Sequence, residues 1–491
     1  MPSRTVFSFA NKSRWQSPLN SKPTIPQQEL VDEEVCPDYS PASFYPAKPG
    51  EVLAKSFQLL VKIGWGSQST VWLARDISRY LDTYDRNRAY LDHVDNRETD
   101  PDPYFSRHKW QSEKTVALKI VNRNNADDAQ HEKEIERHIT QQNPEHRGRV
   151  ILRTCLDDFE VTGPGGEHIC LVYELMREPL WILQRRFVDR RLPLPIAKAY
   201  IYFLLVGLDY LHSECKVVHA GECYVPRPLY LLWNIIGLIC LSDLKLDNIL
   251  MSFENENILT NFIKRQQPMQ CKVDDASGRT LYRCHNDFGA FDARELKNMI
   301  PKVTDFGPAA RLDRPSVQNG MVGQQLGVYP IQPDCYRAPE VILGCGWDFK
   351  ADIWNFGVLV RPLYLSSGGE RTTAALDLML RISFGKLWNI LGSKELFQQV
   401  YDIDGQYDAK SHLGEMVALL GPPPSELLAK SKAMSKHNWP QPVTNNTGQV
   451  CNNAQEFFHG PFFDTEGGLM ITSYINTPIL TISKMSSTTL M

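Results

Sequence analysis

Two apolar runs rich in β-forming residues flank a Gly64-Trp65-Gly66 turn, so residues 57–76 (FQLLVKIGWGSQSTVWLARD) are predicted to form a hairpin. Thr115 to Ile120 predicts a further strand that carries one lysine, Lys119, among Val, Ala, Leu and Ile. HEKEIERHI follows, with Ile135 and Ile139 at i, i+4, the spacing of an amphipathic helix. HICLVYELM then reads as a fully apolar strand that ends at Glu174, Leu175 and Met176. Later, Ile300 to Val303 predicts a short strand. The longest apolar run, Leu229 to Leu241, is about 13 residues where a bilayer crossing needs about 20, so no membrane span is predicted.

Size changes this picture little. With 491 residues and 42% apolar composition, the chain can bury one large two-lobed core or a few smaller domains. A net charge of -4 gives no strong attraction for nucleic acid or an acidic membrane surface. The 11 cysteines contain no Cys-x-x-Cys pair, and Cys284 beside His285 lacks companions at zinc spacing. They read as reduced thiols in a reducing compartment. The first 30 or so residues are polar with few large apolar groups, which predicts a disordered leader over 1–34. Their Arg and Ser bias is weakly similar to an organellar transit peptide.

The candidate chemistry begins at the hairpin. Gly64 and Gly66 would let the backbone approach a polyphosphate, although a Gly-x-Gly hairpin alone is more often an ordinary turn, and Ser69 stands where a third glycine would complete the pattern. Lys119, after such a hairpin, suits the α- and β-phosphates; its ordinary reading is a solvent-side strand position. Glu134 could pair with Lys119, against the plainer reading of a solvated helix face. The segment from Glu174 to Met176 could present backbone groups to an adenine.

Three further motifs occur in order: Asp243-Leu244-Lys245-Leu246-Asp247-Asn248, Val303-Thr304-Asp305-Phe306-Gly307, and Ala338-Pro339-Glu340. Their order and content resemble eukaryotic protein kinases. Several stretches are similar to the SR-protein kinase family of Ser/Thr kinases, its fungal-type members in particular. These are Ile63-Gly64-Trp65-Gly66 with Ser69 to Leu73, Tyr336 to Gly344, EEVCPDYSPASFYPAKPGEVL, SHLGEMVALLGPPP from Ser411, and the long spacer between Asn248 and Asp305.

The resemblance implies an α+β, bilobal fold, a small antiparallel β lobe with one main helix (35–175) and a larger helical lobe (176–467, including the spacer 251–299), with ATP between them. It implies an ATP-binding set of Gly64, Gly66, Val71, Ala117, Lys119, Glu134, Glu174 and Met176, with Mg²⁺ held by Asn248 and Asp305. Asp243 would accept the proton of the substrate hydroxyl, and Lys245 would neutralise charge on the transferred group. In this family a lysine there marks Ser/Thr specificity. His219, Gly307, Glu340 and Asp352 would be structural supports, Asp352 bracing the catalytic loop. The implied partners are Arg/Ser-rich protein substrates, met by a monomer in cytoplasm and nucleus without direct nucleic-acid or membrane contact. Ser242 replaces the Arg that many kinases set before the catalytic Asp, so activity that does not wait on activation-loop phosphorylation is expected. A second Asp-Phe-Gly, Asp287 to Gly289, follows a polar stretch and reads as a structural turn.

The chain also departs from the pattern. Kinases separate the catalytic-loop His and Asp by one residue, yet Gly221 to Ser242 lies between His219-Ala220 and Asp243. Val360 to Lys386 likewise interrupts the helix begun at Asp352. Removing the first restores Val-Val-His-Ala-Asp-Leu-Lys, and removing the second restores Phe-Gly-Val-Leu-Leu-Trp-Asn. Codons for Gly221-Glu222 and Val360-Arg361 are compatible with splice donors, and those for Ser242-Asp243 and Lys386 with acceptors, so both segments are read as translated introns. Residues 80–107 are either a third such segment or a long loop. After Gly467 an atypical tail (468–491) stands where the family continues into further helices, so the fold is expected to be C-terminally truncated and Glu340 to lack its arginine. Pro308 removes a backbone donor just after Asp-Phe-Gly. Two functions remain open: a kinase, or an impaired pseudokinase or mis-spliced product that acts as a binding protein.

Overall fold

The computed structural model describes residues 24–36, 39–77, 115–187, 192–220, 246–266, 268–275, 277–313, 315–318, 321–324, 326–359, 396–397, 399–464 and 467–470. Asp243, Lys245, the segment from Gly221 to Ser242, the segment from Val360 to Lys386, residues 80–107 and most of the tail lie outside them. The chain divides into two compact units: residues 1–133, 153–177 and 252–298, and residues 134–152, 178–251 and 299–491.

The first unit is built on a six-stranded sheet of β1 (Val52–Leu53), β2 (Phe57–Trp65), β3 (Ser69–Asp76), β4 (Thr115–Val121), β5 (Asp157–Gly163) and β6 (Gly166–Glu174), in the order β1-β2-β3-β4-β6-β5. Every pairing is antiparallel, as expected when neighbours in sequence are joined by short turns. Leu59, Leu73, Leu118 and Leu171 are fully buried in its core. The helix α1 (Ala126–Gln141) follows β4. Its buried side chains Ala129, Glu132, Ile135, Glu136 and Ile139 form one stripe at helical spacing.

Two boundaries differ from those expected from the sequence. The spacer, assigned to the helical lobe, groups with the sheet from Ser252 to Asn298. It forms a helix (Glu256–Lys264) and a small hairpin (Cys271–Val273 with Thr280–Tyr282), and Phe262, Met269, Cys271, Tyr282 and Phe288 enter the sheet's core. Apolar residues spread through a polar loop conceal this attachment. The leader, expected to be disordered to residue 34, is structured from Thr24: Thr24 N–H donates to Cys271 O (2.9 Å), and Asp32–Val35 form a short 3-10 turn. Its acids find buried cations, as Glu34 pairs with Lys272 (2.7 Å) and Glu33 with Arg279 (3.1 Å). Composition reports the charge of such a segment but not its partners.

The second unit is mainly helical, with helices Leu194–Asp209, Lys350–Leu359, Ala409–Leu420 and Ser425–Met434. Leu194–Glu214 as a whole is long and apolar enough to cross a membrane by length and composition, with a mean hydropathy of 1.4. Its apolar run in the sequence, residues 199–208, is short because Lys198 and Asp209 bound it. Within the unit it buries one side: Tyr200, Leu204, Leu208, Tyr210 and Leu211 are buried, while Tyr202 is exposed. Its contact with the turn at 147–151 is close enough that a Cβ on Gly148 would lie 2.1 Å from Val206 O. Only glycine permits that approach.

The nine described cysteines are free thiols. Burial pushes Cys215, Cys284 and Cys345 up to about 12, which leaves them protonated and unreactive at neutral pH.

Candidate active site

In the first unit, strand register sets one row of side chains. Gly64 stands opposite Val71, Val71 opposite Lys119, and Lys119 opposite Leu171. Directly opposed residues of antiparallel strands share a face, so the Gly-x-Gly turn, Val71 and Lys119 lie along one side of the sheet. Ala117, two residues before Lys119, is on the same face. The turn is closed by Gly66 N–H donating to Ser69 O (2.9 Å), and a Cβ on Gly64 would meet Val71 Cβ at 3.3 Å. Ser69, in the third glycine position, serves as the acceptor that closes the turn.

Lys119 Nζ donates to both carboxylate oxygens of Glu132, at 2.8 and 2.7 Å, and Tyr173 O–H donates to the same Oε1 at 3.0 Å. The partner is therefore Glu132, and the Glu134 assigned from sequence spacing is exposed. The helical period held the signal: Glu132 is three residues before Ile135 and on its stripe, whereas Glu134 is one before it and turned about 100° away. Glu132→Gln is expected to raise the ATP KM about tenfold, equivalent to about 1.4 kcal/mol. Glu134→Gln should stay within about twofold in the same titration. The opposite ranking would return the assignment to Glu134.

At the end of β6, Glu174 O accepts from Arg153 Nε (2.9 Å), and that guanidinium lies 4.6 Å over the Tyr173 ring. Leu175 and Met176 are buried beyond it.

In the second unit, the strands Ile249–Met251 and Pro301–Val303 pair so that Ile249 opposes Val303. Thr304 N–H then donates to Asn248 O (3.0 Å), which places Asn248 and Asp305 at the same end of the pair. Asp305 has φ +67°, a left-handed conformation that costs a non-glycine residue about 1 kcal/mol or more and is often kept at functional positions. Its neighbours hold it there. Thr304 O is met by His219 Nε2 (3.0 Å), and Phe306 is fully buried with its ring edge-on to His219 at 5.2 Å. Ala309 N–H to Phe306 O (3.1 Å) closes the turn around Gly307 and Pro308.

Asp352 is fully buried and ties this region to the chain that leads toward Asp243. Its Oδ2 accepts from His219 N–H (2.8 Å) and lies 2.8 Å from His212 Nε2, and its Oδ1 accepts from Ala220 N–H (2.8 Å). Burial alone would raise this carboxyl, but the bond to His212, the nearby imidazoles and the His219 amide outweigh it and hold its pKa below the ordinary value. Asp352 is thus a charged brace on main-chain donors at 219 and 220.

Among the described residues no group of three His, Cys, Asp or Glu side chains could enclose a metal. Asn248 and Asp305 offer one amide and one carboxylate, hard oxygens that suit Mg²⁺, an ion that ordinarily takes its remaining ligands from phosphate and water. The residues present fit that ion.

No protein-family model matches the chain. A serine/threonine protein kinase of Aspergillus fumigatus is 27% identical over 431 residues, 86% of this chain and 79% of that one. The serine/threonine-protein kinase SRPK of Physarum polycephalum is 28% identical over 345 residues, 68% of this chain and 66% of its own. The chain is homologous to serine/threonine protein kinases. A crystal structure of a kinase domain aligns at 17% identity and a TM-score of 0.44, covering 80% of this chain and 79% of that one.

Homology to kinases makes the duplicated Asp-Phe-Gly a choice, and local packing separates the copies. Asp287 Oδ1 accepts from Gly289 N–H (2.9 Å) in a tight turn, and Gly289 has φ +92°. Phe288 packs against Phe253 and Phe262 at 5.0 and 4.5 Å in the core of the first unit. That copy anchors the spacer, whereas the copy at Asp305 shares a strand end with Asn248. Glu340 is the unusual kinase-motif residue: burial pushes its carboxyl pKa up against the opposing charges of Lys350 and Lys430.

Proposed function

We propose that this protein is a Mg²⁺- and ATP-dependent serine/threonine kinase of the SR-protein kinase type, acting on Arg/Ser-rich protein segments. The observation that carries the reading is the hydrogen-bonded set in the second unit, where Asn248 and Asp305 are joined through Thr304 and His219-Ala220 is braced by Asp352. Homology to Ser/Thr kinases, one printed as SRPK, supports it.

In this reading Lys119, fixed by Glu132, holds the α- and β-phosphates, and Asn248 and Asp305 hold magnesium. The metal, when bound, neutralises charge on the phosphate oxygens. The substrate hydroxyl oxygen bonds to the γ-phosphorus as the bond to the bridging oxygen breaks. Its proton passes to Asp243, Lys245 offsets charge on the group in flight, and ADP leaves.

The second reading is a binding protein without turnover, favoured by Glu340 and by the residues that separate His219 from Asp243. Incubation with radiolabelled ATP and two peptides, one of Arg/Ser repeats and one of Lys/Ser repeats, tests the substrate class. Serine labelling that prefers the Arg peptide by about tenfold or more is expected, since a planar guanidinium makes bidentate contacts that lysine cannot. Equal labelling would remove the Arg/Ser assignment. Binding of Mg·ATP with no transfer, by the full chain and also by a form lacking both Gly221 to Ser242 and Val360 to Lys386, would establish the second reading.

A further inference from the structure

One group of buried charges lies beside the glycine hairpin and outside the catalytic set. Lys62 is only 2% exposed although it stands on β2, two residues before Gly64. Its ammonium meets Asp32 (2.9 Å) and Glu33 from the leader and donates to Tyr282 O (2.9 Å) from the spacer. Its own carbonyl accepts from His285 N–H (2.8 Å), so the spacer also occupies the free edge of β2 at this residue. Asp32 Oδ2 in turn accepts from Cys284 N–H (2.6 Å), and Glu33 reaches Arg279. Leader and spacer, far apart in sequence, grip the same residue from two sides.

The place of that grip is informative. Between Lys62 and Gly64 the pairing of β2 with β3 shifts register, because Lys62 opposes Trp72 and Gly64 opposes Val71. Such a bulge bends a strand and re-aims the residues beyond it. The residues beyond this one are the Gly64-Trp65-Gly66 turn. An immobilised Lys62 gives the bulge a fixed base, so the direction of the turn depends on residues that never reach it.

We infer that Lys62, held by Asp32 and Glu33 of the leader and by the spacer at Tyr282 and His285, is a positioning residue that sets the aim of the glycine turn and thereby the affinity for the nucleotide polyphosphate. The inference rests on the kinase reading for its ligand but not for its mechanics. Asp32→Asn removes one of the two carboxylate charges that hold the ammonium, Lys62→Met removes the grip itself, and Lys62→Arg keeps the charge.

Hydrogen exchange without nucleotide, followed by Mg·ATP titration, tests it on the full chain. In Asp32→Asn and Lys62→Met, amides of residues 60–71 should exchange about tenfold faster while those of β4 and β6 stay within about twofold. The Kd for Mg·ATP should rise about tenfold, and Lys62→Arg should recover most of both effects. In an active form the ATP KM should rise with kcat within about twofold. Unchanged hairpin exchange overturns the inference, as does a uniform rise across the sheet, which would make the cluster a fold stabiliser. A wild-type chain that binds no Mg·ATP overturns the kinase reading and the affinity role together, while the exchange data alone still decide whether Lys62 sets the turn.

Discussion

Excision of Gly221 to Ser242 together with Val360 to Lys386 is expected to raise phosphoryl transfer to an Arg/Ser peptide at least about 100-fold over the full chain. The reason is where the described chain is pinned on either side. Ala220 N–H is fixed on Asp352, and Asn248 O is fixed by Thr304. Without the first segment Asp243 follows Ala220 directly, one peptide away from a braced amide and five residues before Asn248. A general base must reach its hydroxyl within hydrogen-bond distance, and displacement by about 1 Å can cost about 100-fold. Removing the second segment joins Leu359 to Leu387-Trp388-Asn389 and lets the helix that carries Asp352 continue in its apolar register. Equal rates for the two forms would mean that the segments do not disturb the site. Mature transcripts that all retain both segments would separately defeat the intron origin.

The parts of this protein that are legible in the sequence are those governed by local pattern. Alternating apolar runs with a Gly-x-Gly turn become β2 and β3, and a lysine between Leu118 and Ile120 becomes the centre of an interstrand row. Asp352 is read as a brace only through the likeness of its stretch to kinases, and the structure sets its carboxylate on the amides of His219 and Ala220. Partner identity is less legible. Glu132 and Glu134 differ by two positions on a Glu-rich helix, and only the inward stripe separates them. The spacer and leader are misassigned for a related reason, since a buried cluster of three acids and three bases looks in one dimension like ordinary surface charge. Lys62 is the extreme case, a lysine at a strand position whose alternation gives no sign that it is sealed beneath two other segments.

Asp305→Asn in the shortened chain should lower kcat on the order of 10³-fold, the scale seen when one charged group is removed from a transition state it stabilises. The substitution isolates charge because asparagine is among the side chains that best tolerate the left-handed φ of +67° that this position imposes. Alanine there would add backbone strain and blur the result. Thr304 still bonds Asn248 and His219 through its main chain, and Phe306 still fills its buried site, so the thermal midpoint should hold within about 2 °C. Asp287→Asn is the matched control: its Oδ1 can still accept from Gly289 N–H, and turnover should change by less than about twofold. If instead Asp305→Asn kept more than about a tenth of the activity and Asp287→Asn abolished it, the metal would belong to the spacer copy. The strand pair that brings Asn248 and Asp305 to one end would then have a structural role only.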